Sequence, residues 1–198
     1  MQTTLYFTRH GEVHNPKGIL YGRLPDFHLS EKGEAEVAET AKFLKNKPIS
    51  QLYASPLERA QETARIINNQ LQLPSIHTNN EILEVGTAYQ GRLFSELDPI
   101  QDMVYKKPLS PTDETMEQIA GRMMAFVKAV VKEYPGEHIV VCSHGDPIMF
   151  LAATIKRQPL DPAAIKGGVY IKHGQVFQVT DTDGELSVES IFIPELAK

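Results

Sequence analysis

Three clusters of chemically capable side chains each follow a short apolar run that is typical of a buried strand. The pair Arg9-His10, the segment 55–59 and the triplet 143–145 occupy these places. The carboxyl ends of strands are where open α/β sheets bind ligands. Because the clusters together contain two histidines and two arginines, they predict a site for an anion.

Phosphoryl transfer is the chemistry that these residue types suit best. Charge on the transferring oxygens is stabilised mainly by position and electrostatics, and the always-charged guanidinium groups of Arg9 and Arg59 bind phosphate in a bidentate manner. A neutral imidazole such as that of His10 is a competent nucleophile, because an unperturbed histidine has a pKa of roughly 6.5. The leaving oxygen needs a proton, for which Glu84 and Glu81 are candidates from position alone.

A metal site is the alternative that the histidines raise. His14 lies four residues after His10, a spacing that binds zinc when both lie on one helix. The intervening Gly11 and the following Pro16 favour a loop instead, and no third block of ligands is evident. We therefore expect no metal. Four other histidines are interpreted as surface or turn residues: His28, His77, His138 and His173.

Alternating strands and helices must position these clusters. Apolar runs predict strands at 5–7, 51–54, 76–78 and 138–142. Helical spacing predicts helices after the N-cap Ser30, after Ser55-Pro56, over 116–134 and over 148–156. Alternation at 168–172, 175–180 and 186–193 predicts a final β-meander. The sequence thus predicts an α/β three-layer sandwich, in which helices flank a mostly parallel mixed sheet.

The segment 86–114 is the least periodic part of the chain, with a short helix expected near 93–103. We interpret it as an insertion or lid within one catalytic domain spanning residues 1–198. The net charge of −5 argues against broad binding to nucleic acid or anionic membranes. A single cysteine, Cys142, and the lack of a long apolar run favour a cytoplasmic protein. The oligomeric state, including a homodimer, stays open.

Five sequence blocks in order resemble the histidine phosphatase superfamily, the phosphoglycerate-mutase-like proteins. The signature Thr8-Arg9-His10-Gly11-Glu12 is followed by Asn15, and further matches span residues 3 to about 156. The later blocks are Tyr21-Gly22-Arg23 with Leu29-Ser30-Glu31-Lys32-Gly33, the run 54–64, Ile82-Leu83-Glu84 and Val141-Cys142-Ser143-His144-Gly145.

The resemblance implies a role for each matching position. His10 would accept the phosphoryl group, and Glu84 would protonate the leaving group and then activate water. Arg9, Arg59 and His144 would complete the phosphate pocket. The resemblance implies no metal and no organic cofactor. Binding of the phosphorylated substrate would also involve Asn15, Gly22, Arg23 and the Gly145 amide. For Arg23, as for Arg92, Lys106 and Lys107, solvated surface charge is the simpler interpretation.

The fate of the phosphoryl group divides the functional hypotheses. We expect a phosphatase acting on a small phosphorylated metabolite; the alternative is a mutase that returns the group to its substrate. Tyr21 replaces a small hydroxyl residue common in the mutases, and no Arg-Arg pair follows Glu84, which weakens the mutase reading. A non-catalytic protein that binds phosphorylated ligands would be expected to lack a catalytic residue, and none is missing.

Overall fold

A mixed sheet of six strands lies at the centre of the described part of the chain. The computed structural model describes residues 1–97, 103–167 and 170–197. The strands are β1 (Gln2–Arg9), β2 (Ile49–Ala54), β3 (His77–Thr78), β4 (His138–Ser143), β5 (Val176–Thr182) and β6 (Glu185–Phe192). Their order is β3-β2-β4-β1-β5-β6. The first four run parallel, whereas β5 is antiparallel to both of its neighbours.

Helices cover both faces of this sheet. They are α1 (Glu31–Leu44), α2 (Glu58–Leu71), α3 (Phe94–Leu97), α4 (Met103–Lys106), α5 (Met116–Glu133), α6 (Gly145–Ile155) and α7 (Pro162–Gly167). Short 3₁₀ turns lie at Asn80–Ile82 and Glu195–Ala197. Within the described ranges, none of these helices has the length and apolar character needed to cross a bilayer.

Two separate cores show why the sandwich has three layers. Successive strand residues point to opposite faces of a sheet. In β4, Ile139 and Val141 pack into the core that contains α5 and α6, whereas Val140 and Cys142 pack into the core beneath α1 and α2. The near-continuous apolar sequence of β4 follows from burial on both faces. The predicted mixed sheet between helices is confirmed.

The parallel register brings the three polar clusters to one edge. Arg9 pairs with Ser143, and Ala54 pairs with Cys142, so β1, β2 and β4 end at nearly the same level. Beyond that level, the His10 amide donates to the Ser143 carbonyl at 3.1 Å, and the Ser55 amide donates to the Cys142 carbonyl at 3.0 Å. The clusters are therefore neighbours in space.

The helix starts agree with the sequence in two cases and differ in two. Helix α5 begins at Met116, as predicted. Ser30 caps α1, and its side chain accepts from the Gly33 amide. The predicted Ser55-Pro56 start is wrong, because α2 begins at Glu58 without a side-chain cap and the Ser55 hydroxyl hydrogen-bonds to His144. Helix α6 begins three residues earlier than predicted, since a proline is tolerated in the first turn, where amides lack helical partners.

The C-terminal strands form one hairpin, β5-β6, in place of the three-stranded meander. Residues 170–172 lie outside any strand, and residues 168–169 lie outside the described ranges. The reason is that side chains occupy backbone groups that a strand would pair with its neighbour. The Arg9 guanidinium donates to the Ile171 carbonyl, and Gln175 Oε1 accepts from the Lys172 amide. These bonds hold residues 171–172 as a loop beside the carboxyl end of β1.

The aperiodic segment 86–114 contains only the short helices α3 and α4 among its described residues. The helix expected near 93–103 begins one residue later, as α3. Residues 98–102 of the expected range lie outside the described residues. Side chains hold both ends of the segment: the Gly86 amide donates to Glu114 Oε2 at 2.8 Å, and the Leu109 amide donates to Asp113 Oδ2 at 2.8 Å.

Candidate active site

The His10 imidazole is buried at the end of β1, and its hydrogen bonds define its tautomer. Nδ1 lies 2.8 Å from the Gly11 carbonyl, which can only accept, so the ring proton is on Nδ1. Nε2 accepts from Arg59 Nε at 3.3 Å. Burial, followed by the charge of Arg59, holds the His10 pKa well below its usual value. At neutral pH, Nε2 therefore presents a lone pair.

Arg59 reaches His10 from the first turn of α2 and is fully buried. Its Nη2 donates to the Gly22 carbonyl at 2.7 Å, and the guanidinium lies 4.7 Å above the Tyr21 ring. Gly22 adopts a φ of +45°, a left-handed conformation that favours glycine. The loop around Gly22 thus holds the guanidinium in place, while Nη1 has no hydrogen-bond partner among the described residues.

Arg9 and His144 supply further nitrogen atoms to this site. Arg9 Nη1 donates to the Ile171 carbonyl at 2.8 Å, and His144 Nε2 lies 2.8 Å from Ser55 Oγ. The rings of His10 and His144 are 5.3 Å apart. Within the described chain, Arg9 Nε and His144 Nδ1 lack partners, as does the remaining nitrogen of Arg59. Buried polar nitrogens without hydrogen-bond partners are costly, and those of the two arginines are charged donors, so this arrangement is suited to an anion.

Glu84 is the carboxyl group that lies against this set. Its Oε1 accepts from the Val85 amide at 2.9 Å, and its Oε2 lies 3.9 Å from His144 Nδ1. Burial, and then the charge of Asp146, raises the Glu84 pKa, which favours the protonated acid. The side chain of Glu81 is exposed. Of the two candidates from the sequence, the geometry favours Glu84 as the proton donor.

A clamp of three charged residues fixes the backbone at Glu84. Arg23 Nε and Arg122 Nη2 donate to the Glu84 carbonyl at 2.7 and 3.3 Å. Both guanidinium groups are paired with Glu114, at 2.6 and 2.8 Å. For Arg23 the sequence predicts substrate binding or a surface charge; in the structure, its Nε and Nη2 bond to the Glu84 carbonyl and to Glu114. Arg122 and Glu114 were not recognised in the sequence, because their role depends on contacts between distant elements.

The other residues predicted to bind substrate lie in different surroundings. Asn15 bonds to both backbone groups of Ile19, at 2.9 and 3.2 Å, and so closes its own loop. Gly145 begins α6, where an added Cβ would lie 2.8 Å from Tyr170 Cζ. This close approach explains the glycine. Arg92 stacks on Tyr89, 5.2 Å from its ring centroid, and Lys106 and Lys107 are exposed.

Several site residues were missed in the sequence. His173, expected only in a turn, lies 5.8 Å from the His10 ring, and burial lowers its pKa to about 3. Asp146 accepts from the hydroxyls of Tyr105 and Tyr170. The position of Asp146 directly after His144-Gly145 was the one available signal. The tyrosines come from α4 and from the segment before β5, so only the fold unites them.

A cavity of about 370 Å³ is lined by some of these residues. Its polar lining includes Arg9, Glu84 and Asp146, and its apolar lining includes Leu20 and Phe94. One nitrogen each of His10 and His144 and an oxygen of Glu84 lie within 4.8 Å of one another, as metal ligands can. The adjacent arginines make this position favourable for an anion and unfavourable for a cation.

Known proteins resemble the chain over most of its length. An uncharacterised protein of Mycobacterium tuberculosis, Rv0525, is 38% identical over 81% of this chain and 83% of its own. An uncharacterised phosphatase of Bacillus subtilis, PhoE, is 28% identical over 77% of each chain. The structure of Bacillus stearothermophilus YhfR shares the fold, with a TM-score of 0.86, 23% identity and coverage of 99% of this chain and 100% of that one.

The sequence model of the histidine phosphatase superfamily (branch 1) matches residues 5–188. That range includes the Arg9-His10 pair at the end of β1, Glu84 and the His144 segment. This protein belongs to the histidine phosphatase superfamily.

Proposed function

We propose that this protein is a metal-independent phosphatase that hydrolyses a small phosphomonoester through a covalent phosphohistidine at His10. The observation that carries the proposal is the tautomer of His10. His10 Nδ1 donates to the Gly11 carbonyl, so Nε2 carries the lone pair. This Nε2 lies beside Arg59, whose Nη1, like Arg9 Nε, has no hydrogen-bond partner among the described residues. A nucleophile therefore lies where charged donors converge.

In the first step, His10 Nε2 attacks phosphorus and the bond from phosphorus to the ester oxygen breaks. The leaving oxygen takes the proton of the Glu84 carboxyl, whose raised pKa favours the acid form. Arg9, Arg59 and His144 stabilise the equatorial oxygens. In the second step, Glu84, now a carboxylate, accepts a proton from water as the water oxygen attacks phosphorus. Inorganic phosphate leaves, and Nε2 recovers its lone pair.

Two observations support hydrolysis over mutase chemistry. The first is that the relative PhoE is named as a phosphatase. The second concerns the cavity, because a mutase must keep its substrate bound while excluding water. The described cavity lining contains one guanidinium, that of Arg9, which the phosphoryl group needs. Within that lining, a second cation to hold a sugar-acid carboxylate is therefore lacking.

The test is to trap the intermediate with p-nitrophenyl phosphate by rapid quench in alkaline denaturant, followed by intact-mass analysis without acid. The native protein should gain the mass of one phosphoryl group, in a form labile to acid and stable to base, and should release inorganic phosphate. His10→Ala should abolish both signals. The exposed His28 provides the matched control, and His28→Ala should retain both. Full turnover by His10→Ala would refute the mechanism.

A further inference from the structure

The clamp of Arg23, Arg122 and Glu114 brings two positive charges to the backbone of the proton donor. Arg23 Nε and Arg122 Nη2 both donate to the Glu84 carbonyl. Arg122 Nη1 also donates to the Glu81 carbonyl at 2.6 Å. The backbone that carries the Glu84 side chain is therefore anchored by two guanidinium groups, which are always charged.

Glu114 is the carboxylate that joins the two arginines. Its Oε2 accepts from Arg23 Nη2 at 2.6 Å and from the Gly86 amide at 2.8 Å, and its Oε1 accepts from Arg122 Nε at 2.8 Å. Gly86 fits this contact closely, because an added Cβ would lie 3.2 Å from Arg23 Cζ. The side chains of Glu114 and Arg122 are only 19% and 12% exposed, so water screens their charges only in part.

The charge of the clamp extends to the acid–base groups of the site. Burial lowers the pKa of Arg23, whereas the charges of Glu114 and Glu84 raise it. Burial, and then Arg59, lowers the pKa of His144, and both arginines of the clamp lower it further. A positive charge near Glu84 favours the carboxylate over the acid. Without Glu114, the two arginines would therefore favour loss of the proton that the leaving oxygen needs.

Other ionisable groups face the Glu84 carboxyl from the elements around it. Asp146 disfavours the Glu84 carboxylate, whereas Arg59 and Arg9 favour it. The remaining groups are uncharged at neutral pH, because burial lowers the pKa of His144 and raises those of Tyr21, Tyr105 and Tyr170. A change of charge at Glu114 leaves all of these groups in place, so its effect on Glu84 can be measured by itself.

We propose that Glu114 is a positioning residue of the reaction, which acts through Glu84 by offsetting the charge of the two arginines and so keeping the Glu84 carboxyl protonated at neutral pH. A clamp of two arginines alone would hold the proton donor in place but would favour its carboxylate. This inference rests on the proposed function, because a proton donor is needed only if the phosphoryl group leaves its alcohol.

The variant Glu114→Gln tests this role, since it removes the charge and keeps an oxygen that can accept from Arg23 and Gly86. The measurement is the pH profile of kcat/KM for an alkyl phosphate, whose leaving oxygen needs a proton. Activity is present below the folded pKa of Glu84 and is lost as pH rises through it. Loss of a nearby negative charge lowers that pKa, so the alkaline limb should shift to lower pH by about half a pH unit or more.

The matched control is Glu117→Gln, which removes the same charge from an exposed side chain in the first turn of α5. Its alkaline limb should coincide with that of the native enzyme. An alkaline limb that stays at the native pH in Glu114→Gln would overturn the inference.

Two variants of Arg23 separate the charge of the clamp from support of the fold. Arg23→Met removes a positive charge, so the alkaline limb should shift to higher pH by about half a pH unit or more, opposite to Glu114→Gln. Arg23→Lys keeps the charge and should keep the limb at the native pH. If the clamp only supports the fold, Arg23→Met loses activity while its limb stays at the native pH or moves to lower pH, and either result would refute the inference. The Arg23 variants remain decisive if Glu114→Gln does not fold.

The two levels of failure are distinguishable. If the native enzyme forms no phosphohistidine and releases no phosphate from the alkyl ester, the proposed function is wrong and the inference falls with it. If phosphohistidine forms and Glu84→Gln abolishes the alkaline limb, but Glu114→Gln leaves the limb at the native pH, the function stands and the inference alone is refuted.

Discussion

Glu84→Gln is the perturbation that most directly tests the proposed proton donor. The amide retains an oxygen that can accept from the Val85 amide, and Arg23 and Arg122 hold the Glu84 carbonyl in either case. Geometry is therefore preserved while the transferable proton is lost. Proton transfer from a positioned acid contributes about 10²- to 10⁴-fold, which corresponds to about 2.7 to 5.5 kcal/mol of transition-state stabilisation.

The assay compares esters whose leaving groups differ in acidity. For an alkyl phosphate, whose alkoxide needs a proton, Glu84→Gln should lose the full factor. For p-nitrophenyl phosphate, whose phenolate leaves without one, the loss in the first step should be much smaller. The exposed Glu81 is the matched control, and Glu81→Gln should remain near native on both esters. Equal losses of kcat/KM for Glu84→Gln on the two esters, or a larger loss of kcat/KM for Glu81→Gln, would refute the reasoning.

The pH profile offers a second measurement on the same variant. The first step needs protonated Glu84, so kcat/KM for an alkyl ester is retained below the folded pKa and is lost as pH rises through it. Burial raises that pKa above its ordinary value, which moves the alkaline limb to higher pH. Glu84→Gln should abolish this limb. Persistence of the limb would assign it to another group.

Three further changes probe the surroundings of the site. Arg59→Lys keeps the charge but loses the planar guanidinium group that donates to both His10 and the Gly22 carbonyl, so kcat should fall about 10²- to 10³-fold in steady-state assays. The exposed Arg65 on the same helix gives the control, and Arg65→Lys should keep the native kcat. Arg122→Met should lower kcat by up to about a hundredfold with little change in KM, because the proton donor loses a backbone anchor. Gly145→Ala should lower the free energy of unfolding by about 1–3 kcal/mol in urea titrations, because the new Cβ crowds the Tyr170 ring.

Periodicity and local chemistry determined most of the fold. The apolar runs that become β1 and β4 are buried on both faces, and the cap at Ser30 satisfies an amide of its own helix. Local signals were weaker where side chains had distant partners. Ser55 was available as a cap in the sequence, but His144 takes its hydroxyl in the folded chain. The segment 170–172 alternates like a strand, yet Arg9 holds it as a loop.

The sequence by itself also determined the residue types of the site: the Arg9-His10 pair, Arg59, Glu84 and His144, each just beyond a strand or in a short motif. Only the tertiary structure decided which tautomer His10 adopts, that Glu84 and not Glu81 faces His144, and that Arg23 anchors a backbone carbonyl. It also placed Asp146 between two tyrosines from separate elements. The physical reason is that strand ends are set by local patterns, whereas burial, charge balance and hydrogen-bond partners arise from contacts between segments far apart in the chain.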